Sequence, residues 1–154
     1  MARFFCFFTL AFALLMSCVM AAPLGEQSKR QIGNLQCNIA RLKTVAGLAK
    51  SASAIKKAMT AAQGDAETTA QLQTAAQGVS SAQAGVGTIA KALITGQLAP
   101  AAARQQVADG LNAATTALGS TTSSDPNVDS AIASATSAIA GTTTSGQQVV
   151  ANCK

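Results

Sequence analysis

Apolar residues recur along this chain at intervals of three and four, the spacing that lines one face of an α-helix and gives a strand no consistent side. The cleanest run is Leu72, Ala75, Val79, Ala82, Val86, Ile89 and Leu93, stepping 3, 4, 3, 4, 3, 4. Asp65 stands at the N-cap position with Glu67 in the first turn, and Gly96 stands at the C-cap, so a helix closing near Ile94 has both ends marked.

The same reading extends in both directions. Upstream, Leu35, Ile39, Leu42, Val45, Leu48, Ala52, Ile55 and Met59 predict a helix over about 34–62. Its Lys43, Lys50 and Lys57 fall seven apart, nearly opposite Val45, Ala52 and Met59. Arg41 and Lys56 sit nearer the stripe, where long side chains snorkel. Downstream, Pro100 opens a third helix whose inner face is Ala103, Val107, Leu111, Ala114 and Leu118 and whose end is Gly119. Asp125-Pro126 starts a fourth, with Val128, Ile132, Ala135 and Ile139 continuing in rhythm through Thr142, Gly146, Val149 and Cys153. Residues 141–146 form helix poorly, so a frayed or kinked turn is expected there. Gly78, Gly85 and Gly87 lie inside the second helix at a cost of about 1 kcal/mol each relative to Ala, and close helix approach is the expected compensation. Room for a ligand beside the seam is the alternative.

Four amphipathic helices with short breaks predict an all-α, up-down-up-down four-helix bundle. In that topology the start of the first helix and the end of the last share a pole. Cys37 and Cys153 sit at those two places, so a disulfide closing the bundle is expected, with free thiols or an intermolecular bridge as the alternative. The core it closes is rich in Ala, which buries little area per residue.

The beginning of the chain changes the inventory. Residues 1–21 have a basic start at Arg3, an apolar run and a small-residue exit at Val19-Met20-Ala21, the layout of a secretory signal peptide. A transmembrane segment is the competing reading of that run. Residues 22–30 are polar and end in Lys29-Arg30, which reads as a propeptide cut or an exposed dibasic linker, leaving 31–154 as a single helical domain. All five Phe residues lie in the leader, so residues 31–154 contain no Phe, Tyr, Trp or His. Eight Lys or Arg face five Asp or Glu there, a net charge of +3.

Those absences remove most chemistry. Without His, and with carboxylates scattered over helix starts and exposed faces, the chain has no acid/base pair, so it is expected to be neither an enzyme nor a cofactor binder. Without aromatics there is no base stacking, so nucleic acid is not an expected partner. Asp125-Pro126-Asn127-Val128-Asp129 imitates a calcium loop, but Ser130 replaces the required Gly and Thr136 the bidentate Glu, leaving helix capping. Gly85-Val86-Gly87-Thr88-Ile89-Ala90 matches a dinucleotide fingerprint in letters only, since no strand precedes it. The Ser/Thr clusters at 120–124 and 142–145 have the composition of O-glycosylated or simply exposed segments.

A secretory leader, Ala22-Pro23, Lys29-Arg30, and an Ala/Ser/Thr/Gln-rich helical domain with Val and Leu at heptad spacing resemble the small secreted fungal proteins of the hydrophobic surface-binding and cell-wall mannoprotein type. The likeness covers residues 1–154 in plan and rests on layout and composition; the Cys37/Cys153 pair is not part of it. It implies a bundle at the cell wall or in the medium that adsorbs to apolar surfaces or holds a fatty acyl chain between helices.

Three functions follow from these residues. A bundle with Ala and Gly seams parts at small cost, which would offer Leu35, Leu42, Leu48, Leu72, Ile89 and Leu93 to an acyl chain or waxy surface, the alternative being that they are plain core. The first helix, basic and without acid, suits an anionic membrane through Lys43, Lys50 and Lys57, the alternative being a solvated stripe. A structural wall component without ligand is the third. In each case the expected location is outside the cell or in its wall.

Overall fold

Local signals set where the helices begin and end in the computed structural model, which describes residues 35–153. The helices are α1 (Leu35–Ala61), α2 (Ala66–Ile94), α3 (Ala101–Ser120) and α4 (Pro126–Asn152). Residues 1–34, with the expected leader and Lys29-Arg30, and Lys154 lie outside the described residues. Asp65 caps α2, its carboxylate accepting from the Thr68 backbone N–H at 3.0 Å and from the Thr68 hydroxyl at 2.7 Å. At the other end Gly96 takes φ +73°, its N–H meets the Leu93 carbonyl at 3.1 Å and that of Gln97 meets Ala92 at 2.7 Å, which satisfies carbonyls the helix leaves open. Asp125 caps α4 through the Asn127 N–H at 2.8 Å, with Pro126 at the first helical position.

Two termination signals act differently from expectation. Gly119 does not end α3, which runs through Ser120 and stops at Thr121 in extended geometry. Thr121 is buried and its hydroxyl donates to the Ala117 carbonyl at 2.6 Å, so a side chain closes the helix in place of glycine. Residues 141–146 are continuous α-helix. Thr142, Thr144 and Ser145 each return a hydrogen bond to the carbonyl four residues back, and Thr142 is buried against α1. Packing and the terminal bond override weak propensity there.

The helices run up, down, up and down as an all-α four-helix bundle, with α1 packed most extensively on α4 and α2 on α3. Cys37 and Cys153 form a disulfide with Cα atoms 5.0 Å apart, across 116 residues of sequence. Glycine makes each pair close. A Cβ on Gly78 would stand 2.6 Å from the Gly110 carbonyl oxygen, and one on Gly110 would stand 2.5 Å from that of Gly78, so the two backbones of α2 and α3 touch at that crossing. Gly85 repeats the approach against Ala103, at 2.8 Å from its carbonyl oxygen. Gly47 does the same for α1 against the Thr142 hydroxyl, which also lies 3.2 Å from that of Ser51. Gly87 meets nothing.

The common core occupies one half of the bundle. It contains Leu48, Ile55, Ala58 and Ala62 of α1, Leu72, Ala75, Val79 and Ala82 of α2, Leu111, Ala114 and Leu118 of α3, and Val128, Ile132, Ala135 and Ile139 of α4. Hydrogen bonds tie this half together at the pole formed by the 62–65 and 121–125 loops, with the Thr69 hydroxyl donating to Ala62 and that of Thr68 to Thr122. Toward the disulfide pole Val86, Ile89 and Leu93 of α2 are only half-buried.

Two stability predictions follow from the close approaches and the disulfide. Gly78→Ala or Gly110→Ala should destabilise the fold by about 1–3 kcal/mol through overpacking against backbone, whereas Gly87→Ala, in open space, should stabilise it by about 0.5–1 kcal/mol; urea unfolding of the three variants checks both signs. Replacing both Cys37 and Cys153 by Ser should lower the unfolding free energy by about 4–5 kcal/mol, the chain-entropy value for a loop of this span, read from the same titration.

Candidate functional site

The rotation of α1 is set by its cysteine. Cys37 faces α4, and Thr44, Ser51 and Ala58, at seven-residue steps from it, share that buried seam with Ala40, Leu48 and Ile55. Residues two apart on a helix point about 200° apart, so burying Cys37 turns Leu35 outward, and Leu42 with it. The expected stripe of α1 is therefore the inner face only from Leu48 onward. In the first half, small residues occupy the seam because only they allow the close contact with α4.

The consequence is an apolar pole. Leu35, Ile94, Leu98 and Val150 keep 72–79% of their surface, and Ile39, Leu42 and Val45 keep 36–53%. All seven lie in the half of the bundle that carries the disulfide, at the start of α1, the end of α2 with its following loop, and the end of α4. Scattered single aliphatics are ordinary on a protein surface, but this concentration at one end is the pattern of an interaction site.

The six residues predicted as an apolar ligand face are divided between two places. Leu48 and Leu72 are buried in the common core, whereas Leu35 and Leu42 are exposed and Ile89 and Leu93 half-buried toward the disulfide pole. The residues that sequence reasoning passed over are Ile94, Leu98 and Val150. Each carried a faint signal: Leu98 is an apolar residue in the break between Gly96 and Pro100, and Ile94 and Val150 each follow an apolar neighbour that already fills the three-four rhythm.

The carboxylates divide along the same axis, while the cations are spread over both halves, Lys50, Lys56 and Lys57 lying in the loop half of α1. Asp65, Glu67, Asp125 and Asp129 are at the loop pole, and Asp109 is midway along α3. Arg41, Lys43, Lys91 and Arg104 are in the disulfide half. Arg41 is half-buried, with Asn38 Oδ1 at 3.5 Å, and burial lowers its pKa from the ordinary guanidinium value, which leaves it charged. Lys43, Lys50 and Lys57 are all exposed. Lys50 and Lys57 border an open depression of about 470 Å³ between α1 and α4, lined also by Ser53, Ala54, Asn127, Ser130, Ala131 and Ser134. Of the Ser/Thr clusters, Thr142 is buried and bonded to the Ala138 carbonyl, while Thr122 and Ser124 are exposed in the loop. No helix among the described residues is long and apolar enough to cross a membrane.

Compared with known proteins, the chain matches no family model, no curated protein and no solved structure.

Acid should loosen the loop pole. The Thr68 hydroxyl, then its backbone N–H, holds the Asp65 carboxyl below its ordinary value of 3.8. A carboxyl depressed on folding stabilises the bundle above the unfolded value, and that contribution disappears as pH falls through the lower folded one. The melting temperature should therefore drop on acidification below 3.8, and Asp65→Asn, which keeps a capping oxygen, should flatten that part of the profile.

Proposed function

We propose that the protein is a secreted, non-catalytic helical module that binds hydrophobic surfaces or lipid acyl chains outside the cell or at its wall. The observation that carries this reading is the gathering of exposed Leu, Ile and Val at the disulfide pole. In water that end is unfavourable at roughly 25 cal/mol per Å² of apolar surface, which an apolar partner would recover. The half-buried Ile89 and Leu93 extend the apolar character inward, toward Val86 at the edge of the common core.

Catalysis finds no support in the site, whose side chains are aliphatic with basic neighbours. The cationic membrane-active reading through residues 34–62 draws support from Arg41 and Lys43 beside Leu42. For the whole of α1 to lie in a membrane, Leu48, Ile55 and Ala58 would first have to leave the core, so the end of the bundle is the less costly contact.

Adsorption to hydrophobic beads and displacement of a fluorescent fatty acid test the reading. Binding in either assay, weakened about tenfold or more when Leu42, Leu98 and Val150 are replaced together by Gln, is the expected result. Binding in neither ends it.

A further inference from the structure

We propose that the disulfide pole docks end-on to a bilayer exposing anionic headgroups, with the aliphatic tips entering the interface and the basic residues behind them meeting lipid phosphates. This rests on the apolar-binding reading above and adds to it an orientation, a partner and a charge requirement.

Depth is the first argument. At 1.5 Å per residue, Leu35, Ile39, Ile94 and Val150 all lie within about 6 Å of a helix end at this pole, and Leu98 is in the loop that crosses it. That matches the ~5–10 Å to which apolar groups enter the headgroup and acyl boundary. Charge is the second. Lys91 and Arg104 sit about one turn behind the tips, and Arg41 and Lys43 about two turns behind, at the level where headgroups would lie. Four of the five described carboxylates are at the far pole and only Asp109 approaches the middle, so an anionic surface meets cations and little repulsion from this end alone. A neutral waxy surface would gain nothing from that arrangement, and a second copy of the chain would bring like charge to like charge.

Orientation is also what separates this from a helix lying lengthwise. A lengthwise α1 would use Lys43, Lys50 and Lys57 as one stripe, but Lys50 and Lys57 lie in the loop half of α1, about 22 and 33 Å along the axis from Leu35, where the row's larger aliphatics Leu48 and Ile55 are buried in the core. The tie between Cys37 and Cys153 keeps the ends of α1 and α4 together as one insertion unit.

The test uses the protein in the form its cells produce, with vesicles of phosphatidylcholine alone or with added phosphatidylserine. Phosphatidylserine should raise partitioning, and Lys91→Gln with Arg104→Gln should lower it about fivefold per charge removed, whereas Lys50→Gln with Lys57→Gln should leave it within about twofold. The chain contains no Trp, so single substitutions report insertion cleanly. Leu98→Trp should shift its emission to the blue and be quenched by brominated acyl chains, and Gln73→Trp, near the loop pole, should show neither. Equal quenching at both sites, or loss of binding with Lys50→Gln and Lys57→Gln but not with Lys91→Gln and Arg104→Gln, overturns end-on docking. So does a stable dimer in sedimentation that Leu98→Gln converts to monomer. Bead or fatty-acid binding without any vesicle binding overturns the inference and leaves the broader reading standing; no binding in any assay removes both.

Discussion

Within each helix pair the two backbones meet with almost nothing between them. Gly78 lies on Gly110, Gly85 on Ala103, and Gly47 on Thr142, at separations that a single Cβ would violate. At such distances dispersion contacts run along the main chain itself, so many small gains replace the large side chains that this composition lacks. Ala, Ser and Thr fill the rest of these seams, and the hydroxyls are satisfied by the carbonyl one turn back, as for Ser51 on Gly47 and Thr142 on Ala138. A bundle without aromatic filling is therefore held by proximity, with the disulfide limiting how far the chain ends can part.

That constraint shapes everything outside the pairs. Small seams draw α1 to α4 and α2 to α3, and the larger aliphatics are left to join one pair to the other. They do so only in the half near the loops, where Leu48, Ile55, Leu72, Leu111, Ile132 and Ile139 converge. In the other half the seams still hold, through Cys37, Ala40 and Thr44 on one side and Gly85, Ala92 and Ala103 on the other. There Leu35, Leu42 and Ile94 are exposed, while Val86 and Val107 reach only the edge of the core. Core and exposed aliphatics are thus separated along the long axis of the molecule, which allows one end to be apolar without weakening the core at the other.

Much of the fold is legible in the residues. Asp65, Asp125-Pro126 and Gly96 mark helix ends by chemistry that acts within a few residues, and each acts as its type requires. The pairing of Cys37 with Cys153 follows from an antiparallel bundle of even helix number, because topology alone brings those positions to one pole. The stripe of α1 is less readable. Its apolar residues recur every three or four from Leu35 to Met59, but three successive steps of three from Ile39 to Leu48 turn the row about 180° around the helix, so once the bond at Cys37 and the close seam with α4 set the rotation only the part from Leu48 lies inward. Propensity misjudged residues 141–146 for a related reason: a poor helix former whose Thr142 is buried against α1 and whose hydroxyls return hydrogen bonds to the preceding turn stays helical.

The sequence alone determined the class of structure and the small-residue, aliphatic make-up of the bundle, because three-four periodicity, caps and the lack of His and aromatics in residues 31–154 are properties of residues taken singly or with near neighbours. What only the tertiary structure decided is which Leu and Ile are core and which are surface. Leu42 and Leu48 both belong to the three-four row yet stand about 120° apart around the helix, and which of the two faces inward depends on what stands across from it. That is a long-range fact, set here by the bond from Cys37 to Cys153 and by the close seam of Gly47 on Thr142.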